Sequence, residues 1–415
     1  MEGLAVFGLG YVGREVAALA LDRGIDVYGV DIDESVVAAV ESDSRFTTAP
    51  GTIQVSTDGD SVIDNVQFVV IAVPTPLSSK SLVDLTPLKS VCRDIADQVT
   101  SRDTPLSVVV ESTIPPGTVS DVVIPIFESQ NLTIGEDVYI AHAPERIDPG
   151  NNEWPIESLP RVVGAVSEDG ANAIVGFYER LLDAEVHRVE NPSVAAASKI
   201  IENTYRDINI AYVNEIALTL DQLDIDVEDA LDAAETKPFG FTRFSPGAGV
   251  GGHCIPIDPY FLIEKASDNG FENRFLNTAR DINNRMPKYV AQKTIRSLIQ
   301  EETLPQNAKG LLLGKAFKPG VEDTRNSPYF KIRDELKSYD MAIETYDPQL
   351  PSESTADSVY TNADVAVLVT AHPEFRNIDF DHLAENNTRL LVDGRNIYNP
   401  AAVEEAGITY VGMGR

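Results

Sequence analysis

Only two cysteines, Cys92 and Cys254, occur in 415 residues. That excludes a disulfide framework and makes a reducing cytoplasm the expected location. No apolar run approaches the roughly 20 residues that span a bilayer, so no membrane partner is expected. The opening residues, MEGLAVFGLGYVG, bring an acid at position 2 and no basic segment, so no secretory leader is expected. Positive charge is also scarce: 33 Lys and Arg stand against 65 Asp and Glu, for a net charge of −32. The acids are spread along the whole chain rather than gathered in a tail. Such a surface repels nucleic acid and anionic membrane. It suits a halophile, whose high-salt cytoplasm screens repulsion over a few ångströms. CxxC and HxxxH pairs are absent too, and adjacent His253 and Cys254 are a poor zinc pair, so no metal is expected.

What is present is a foldable soluble chain, 43% hydrophobic and 24% charged, long enough for two or three domains. Apolar runs alternate with helical periodicity from the start. LAVFGLG, DVYGVDID, VQFVVIAVPTP, LSVVVESTIPPG and DVYIAHAPER read as strands, and REVAALALDRG as a helix with a glycine stop. The pattern predicts a doubly wound parallel α/β sheet, with its site at the strand C-terminal ends. Near 192 the character changes to a long amphipathic helix with Pro192 near its start. VEDALDAA, a Gly/Pro-rich segment at 245–260 and a helix through PKYVAQKTIRSLIQ follow. After about 305, KGLLLGKAF, AIETYDP, VAVLVTA and RLLVDG restore the alternation. The expected division is 1–190, 191–300 and 301–415: two Rossmann-like domains joined by a helical one.

Gly8, Gly10 and Gly13 form G-x-G-x-x-G between a strand and a helix. That spacing allows a tight turn and brings backbone N–H groups to a pyrophosphate at the helix N-terminus. Asp31 ends the next strand at the expected distance of about 20 residues. A carboxylate there holds the ribose 2′-OH of NAD and repels the 2′-phosphate of NADP. In the last third, LLLGKAFKPG offers one glycine where the fingerprint needs three. One half is therefore expected to bind NAD and the other something else.

The cysteines differ in setting. Cys92, in LKSVCRDIADQV, fits a buried helix face. Cys254 sits in GVGGHCIPIDPYF, where glycines allow close approach to a ligand while Pro256 and Pro259 stiffen the exit. A catalytic nucleophile is the favoured reading for Cys254, with Asp258 able to position or deprotonate a water or thiol. Beside a nicotinamide, a thiolate captures an aldehyde as a thiohemiacetal, which can lose a second hydride to give a thioester. Water then releases an acid, a four-electron oxidation in one site.

With GLGYVG, VPTP, ESTIPPGT, APERIDPG, KIIENTYRDINIAYVNEIA, GVGGHCIPIDPYFL and GKAFKPGVEDTRNSP in place, the chain resembles the nucleotide-sugar 6-dehydrogenases nearly end to end. The resemblance implies an NAD domain, a helical dimerisation domain and a UDP-binding domain, with a UDP-sugar as substrate and a homodimer through the long helix. It assigns Cys254 as nucleophile, Lys199 as stabiliser of the developing alkoxide and Asn203 as its orienting partner. It also gives Thr113, which holds a water or the substrate oxygen, Glu145 as catalytic glutamate, and Asp258 as an assistant in hydrolysis or proton transfer. Cofactor contacts then fall on Gly8, Gly10, Tyr11, Val12, Gly13, Asp31, Pro74, Thr75, Thr113 and Arg325. Substrate contacts fall on Glu145, Arg146, Lys199, Asn203, Gly251 and Lys318.

Two departures refine the resemblance. GGHCIPID and PERIDPG stand where UDP-glucose enzymes usually carry GGSCFPKD and PEFLREG, and Pro149 replaces a second glutamate. Both changes resemble the enzymes for UDP-N-acetylmannosamine and UDP-N-acetylglucosamine, so a 2-acetamido sugar, UDP-N-acetylmannosamine first, is expected over UDP-glucose. The segment SRFTTAPGTIQVSTD is shorter than usual, which bears on cofactor-side loop contacts. The expected role is synthesis of surface glycans in a haloarchaeal cytoplasm. The rival readings are a silent NAD- and nucleotide-binding regulator and a two-electron hydroxyacid dehydrogenase, which would have no use for Cys254.

Overall fold

The computed structural model describes every residue except 1, 2, 61, 79–81, 101, 103, 149 and 152. Pro149 therefore lies outside the described residues. Packing divides the chain into two compact units: Met1–Glu202 with Tyr260–Glu272, and Asn203–Pro259 with Asn273–Arg415.

In the first unit, eight strands are β1 Leu4–Phe7, β2 Val27–Val30, β3 Ile53–Ser56, β4 Phe68–Ile71, β5 Leu106–Val110, β6 Val138–His142, β7 Arg161–Ala165 and β8 Val186–Val189. They form one sheet in the order β3-β2-β1-β4-β5-β6-β7-β8. Every pairing is parallel except β6 with β7, where Ala141 faces Ala165 in antiparallel register. Strands β1, β4 and β5 are buried throughout, as expected where helices cover both faces. Alternation along β1 serves the two faces. Leu4 and Val6 pack with Val16 and Ala17 of the helix Tyr11–Asp22 and with Phe177. Ala5 and Phe7 pack with Leu88, Cys92 and Ile95 of the helix Thr86–Gln98. Cys92 is thus a core residue, and burial pushes its thiol up to about 12.

The second unit is built on a five-stranded parallel sheet. Its strands are β9 Lys309–Leu313, β10 Ala342–Tyr346, β11 Val365–Leu368, β12 Leu390–Asp393 and β13 Thr409–Gly412, in the order β10-β9-β11-β12-β13. Leu312, Val365 and Val367 meet Met286, Val290 and Ile295 on one face, and Leu311, Leu313 and Leu368 meet Phe375 and Leu383 on the other. The long helix begins at Pro192 and runs to Asp221.

The helix through PKYVAQKTIRSLIQ is present and reaches further back, spanning Arg274–Gln300 with Pro287 buried inside. Proline at a helix interior removes a hydrogen bond and costs roughly 3 kcal/mol. Here its ring packs against the loop that carries Cys254: a Cβ on Gly249 would lie 3.1 Å from Pro287 Cδ.

Candidate active site

The turn after β1 is shaped for a phosphate. Gly8 lies in the left-handed region at φ +92°, and a Cβ on Gly13 would meet the Gly8 carbonyl oxygen at 1.8 Å. The helix can start against the strand only if both are glycine. Its N-cap is Gly10, with no side chain capping the first turn, so the N–H groups around Tyr11 and Val12 face solvent or a ligand. Asp31 follows β2. Its Oδ2 accepts from the Leu9 amide at 2.7 Å and its Oδ1 from the Asp33 amide at 3.0 Å. It is only half-buried, so its remaining lone pairs are open to a ribose hydroxyl. This glycine cradle and carboxylate fit NAD.

The ends of β4 and β5 are laced together. The Thr75 hydroxyl donates to the Thr113 carbonyl at 2.7 Å, and Ser112 Oγ donates to the Val73 carbonyl at 2.7 Å. Pro74 is exposed and Thr113 half-buried beside them. After β6 comes Glu145, 7% exposed. Its neighbour Arg146 is committed to Glu202, with Nε 3.2 Å from Oε2 and Nη2 2.5 Å from Oε1. Tyr11, which belongs to the same strand-end group, has its phenol pushed up by burial, then by the charges of Glu15, Glu145 and Asp148.

Lys199 and Asn203 stand one turn apart on the helix Pro192–Asp221, 8% and 7% exposed. Asn203 Nδ2 donates to Asp258 Oδ2 at 2.5 Å. Asp258, 2% exposed, opens the helix Asp258–Asp268, and its amide donates to the Cys254 carbonyl at 2.9 Å. So Cys254, exposed, sits on the tight turn that leads into this helix. The loop before it is pinned to the segment that carries Arg325. The Gly252 amide donates to the Arg325 carbonyl at 2.9 Å, and Asn326 Nδ2 to the Gly252 carbonyl at 3.0 Å. A Cβ on Gly251 would lie 2.8 Å from Phe317 Cβ. The Arg325 guanidinium is raised by its hydrogen bonds to Asp323 and, to a smaller extent, by the charge of Cys254. His253 is lowered by burial and then by Arg325. Lys318 is half-buried on the turn after β9.

Sequence inspection missed the charges beneath these loops. Under the Glu145 segment, Glu111 and Arg161 form a buried ion pair at 3.2 Å, Tyr178 donates to Glu111, and the guanidinium lies 5.2 Å from the Tyr178 ring centroid. Burial pushes the Glu111 carboxyl up and Arg161 opposes it. A second such group, Asp207 with Arg280 at 2.5 Å, joins the long helix to the helix Arg274–Gln300. The signal for Glu111 was a charge directly after the apolar run 108–110. Among the described residues no group of three or more His, Cys, Asp or Glu is placed to hold a metal ion.

This chain matches three models of one family in succession: the NAD binding domain over residues 2–182, the central domain over 193–285 and the UDP binding domain over 311–400. It belongs to the UDP-glucose/GDP-mannose dehydrogenase family. Within the family, a UDP-N-acetyl-D-mannosamine dehydrogenase of Pyrococcus horikoshii is 34% identical over 99% of both chains. A UDP-N-acetyl-D-glucosamine 6-dehydrogenase of Pseudomonas aeruginosa is 31% identical over 92% of this chain and 93% of its own. The solved structure of UDP-D-ManNAc dehydrogenase from Pyrococcus horikoshii superimposes with a TM-score of 0.89 at 33% identity, covering 99% of each chain. The protein is an NAD-dependent sugar-nucleotide oxidoreductase, and residues 311–400 form its UDP-binding domain. Among the described residues no helix is long and apolar enough to cross a membrane.

Proposed function

We propose that the protein oxidises C6 of a UDP-2-acetamido-hexose, UDP-N-acetylmannosamine first, to the uronate, reducing two NAD per sugar. One observation carries the proposal: an exposed thiol, Cys254, on a glycine–proline turn locked to the buried Asp258–Asn203 pair. The choice of sugar is supported by GGHCIPID and by relatives named for acetamido sugars.

In this scheme Gly8, Gly10, Gly13 and Asp31 hold NAD, which supplies the hydride acceptor. Lys199, a buried ammonium, offsets the negative charge that grows on the C6 oxygen; such a cation is worth most where water is excluded. The thiolate of Cys254 then adds to the aldehyde carbon and forms a C–S bond. After loss of the second hydride that bond is a thioester. Water adds to its carbonyl, the C–S bond breaks, and the acid leaves with the thiolate restored. Asp258, oriented by Asn203, positions that water, Thr113 holds a water or the substrate oxygen, and Glu145 acts as the catalytic glutamate. Lys318 and Arg325 contact the sugar nucleotide and reach toward cofactor. We further infer a homodimer, supported by the exposed Ile201, Tyr205 and Tyr212 along the long helix. A cytoplasmic enzyme that supplies acidic units for surface glycans is the role that fits this product.

NADH formed per sugar consumed tests the scheme, with UDP-N-acetylmannosamine, UDP-N-acetylglucosamine and UDP-glucose assayed in parallel at high salt. Two NADH on an acetamido sugar is the expected result, and Cys254→Ser should lower kcat by at least about a thousandfold with NAD binding intact. Two NADH on UDP-glucose alone overturns the choice of sugar. One NADH, or an active Cys254→Ser enzyme, overturns the thiol chemistry, and no turnover on any sugar returns the silent regulator.

A further inference from the structure

The two sheets handle the same position differently. After β1, the Leu9 amide donates at 2.7 Å to Asp31, which follows β2, the neighbour of β1. After β9, the amides of Lys315 and Ala316 donate to Asp347 Oδ2 at 2.6 and 2.8 Å, and Asp347 follows β10, the neighbour of β9. The two carboxylates thus occupy equivalent places in their sheets. Asp31 is half-buried, whereas Asp347 is 1% exposed and its Oδ1 accepts from the Gln349 amide at 2.9 Å. The second carboxylate is consumed within the fold and is not presented to a ribose.

His372 completes its enclosure. The ring is 0% exposed, lies just beyond β11 and sets its edge against Phe375. Its Nε2 is 3.2 Å from Asp347 Oδ2, and its Nδ1 accepts from the Gly320 amide at 3.1 Å. An amide N–H can only donate, so Nδ1 is bare and the ring proton is on Nε2, facing the carboxylate. Asp347 therefore holds the near end of the turn Gly314–Gly320, and His372 ties its far end to the same carboxylate. Thr370 Oγ1 fastens the middle through the Ala316 carbonyl at 2.6 Å. Lys318 lies inside this bracket.

We propose that His372 is a positioning residue for the substrate's nucleotide: its imidazole bridges the Gly320 amide and Asp347, and so fixes the turn that presents Lys318. This rests on the reading of Lys318 as a sugar-nucleotide contact. Nothing in the bridge touches the reacting carbon, so its loss falls on binding rather than on turnover.

Three variants test it. His372→Leu removes both bonds, His372→Asn keeps an acceptor near the Nδ1 position, and His372→Gln keeps a donor near the Nε2 position. KM for the UDP-sugar, kcat, UDP affinity by calorimetry and NAD affinity are measured for each. His372→Leu should raise the UDP-sugar KM and the UDP Kd about tenfold, with kcat at saturation and NAD affinity near the parent's, and His372→Asn should recover part of the loss. Parental UDP affinity in His372→Leu overturns the proposal, as does a loss confined to kcat. If the leucine variant does not fold, parental UDP affinity in both the asparagine and glutamine variants overturns it equally. Lys318→Ala, run alongside, separates the two layers. Unchanged UDP affinity there sinks the reading of Lys318 and the proposal with it, whereas unchanged affinity in the His372 variants alone sinks only the proposal.

Discussion

A carboxylate can serve a ligand and its own backbone at once, and Asp31 does both. One oxygen accepts from Leu9 and the other from Asp33, so the charge is fixed in place before any cofactor arrives. Asp31→Ala would therefore confuse loss of a ribose contact with damage to the turn. Asp31→Asn keeps an acceptor for Leu9 but removes the charge that repels a 2′-phosphate. NAD affinity should fall by about ten- to a hundredfold, and the preference for NAD over NADP should shrink; an unchanged ratio of the two affinities would remove Asp31 from cofactor selection. The glycines and Asp31 were legible in the sequence because they obey a fixed local spacing. Cys254 was legible because a rare thiol among glycines and prolines makes a poor core residue. Asp347 and His372 were not. Twenty-five residues separate them, and only the pairing of β9 with both β10 and β11 brings the strand ends together.

At the scale of elements, β6 ends in a histidine that no water reaches. The Nδ1–H of His142 donates to the Val110 carbonyl of β5 at 2.7 Å, while Nε2 has no hydrogen-bond partner. Burial therefore depresses its value to about 4. The unfolded chain takes up this proton near pH 6.5, and the folded one only near 4. Stability contributed by the neutral ring is complete above pH 6.5 and is lost as pH falls through that window. At about 1.4 kcal/mol per unit, the loss reaches roughly 3 kcal/mol. His142→Asn can still donate to Val110 and has nothing to protonate. Its urea midpoint should fall less steeply than the parent's between pH 6.5 and 4.5, and parallel curves would show that another group titrates.

The helices and strands themselves were unevenly legible. Apolar runs such as Phe68–Ile71 declared themselves. The short edge strand Ile53–Ser56 alternates half-buried with exposed residues and resembled a loop. Strands β7, β8 and β13 also passed unnoticed: Arg161 and Gly164 interrupt β7, His187 and Arg188 interrupt β8, and β13 ends in glycine, so none shows a clean apolar run. The helix around Pro287 was legible only in its second half, and the packing of that proline against Gly249 is a tertiary fact.

Charge belongs to the whole molecule. If every one of the 33 Lys and Arg paired with an acid, 65 − 33 = 32 acids would still lack a partner. Exposed pairs such as Arg188–Glu168 contribute only about 0–1 kcal/mol each. Self-repulsion among the surplus acids therefore outweighs what salt removes from the pairs. Raising KCl from about 0.1 to 1 M shortens the screening length from about 10 to 3 Å. The thermal midpoint should rise by about 5 °C or more over that range, and a flat or falling midpoint would discard the halophilic reading.

The chain passes from the first compact unit to the second at residue 203, returns at 260 and leaves again at 273. The returning segment is well tied to its unit: Glu264 accepts from the Val83 amide at 2.7 Å, and Lys265 pairs with Asp121 at 2.7 Å. A ribosome adds about 5–20 residues per second. The NAD-binding unit thus waits several seconds, with its sheet already made, for a helix encoded after the Cys254 loop. Truncation at residue 202 would free a unit that lacks one of its own helices, and the order of synthesis makes Cys254 emerge before the cofactor domain is finished.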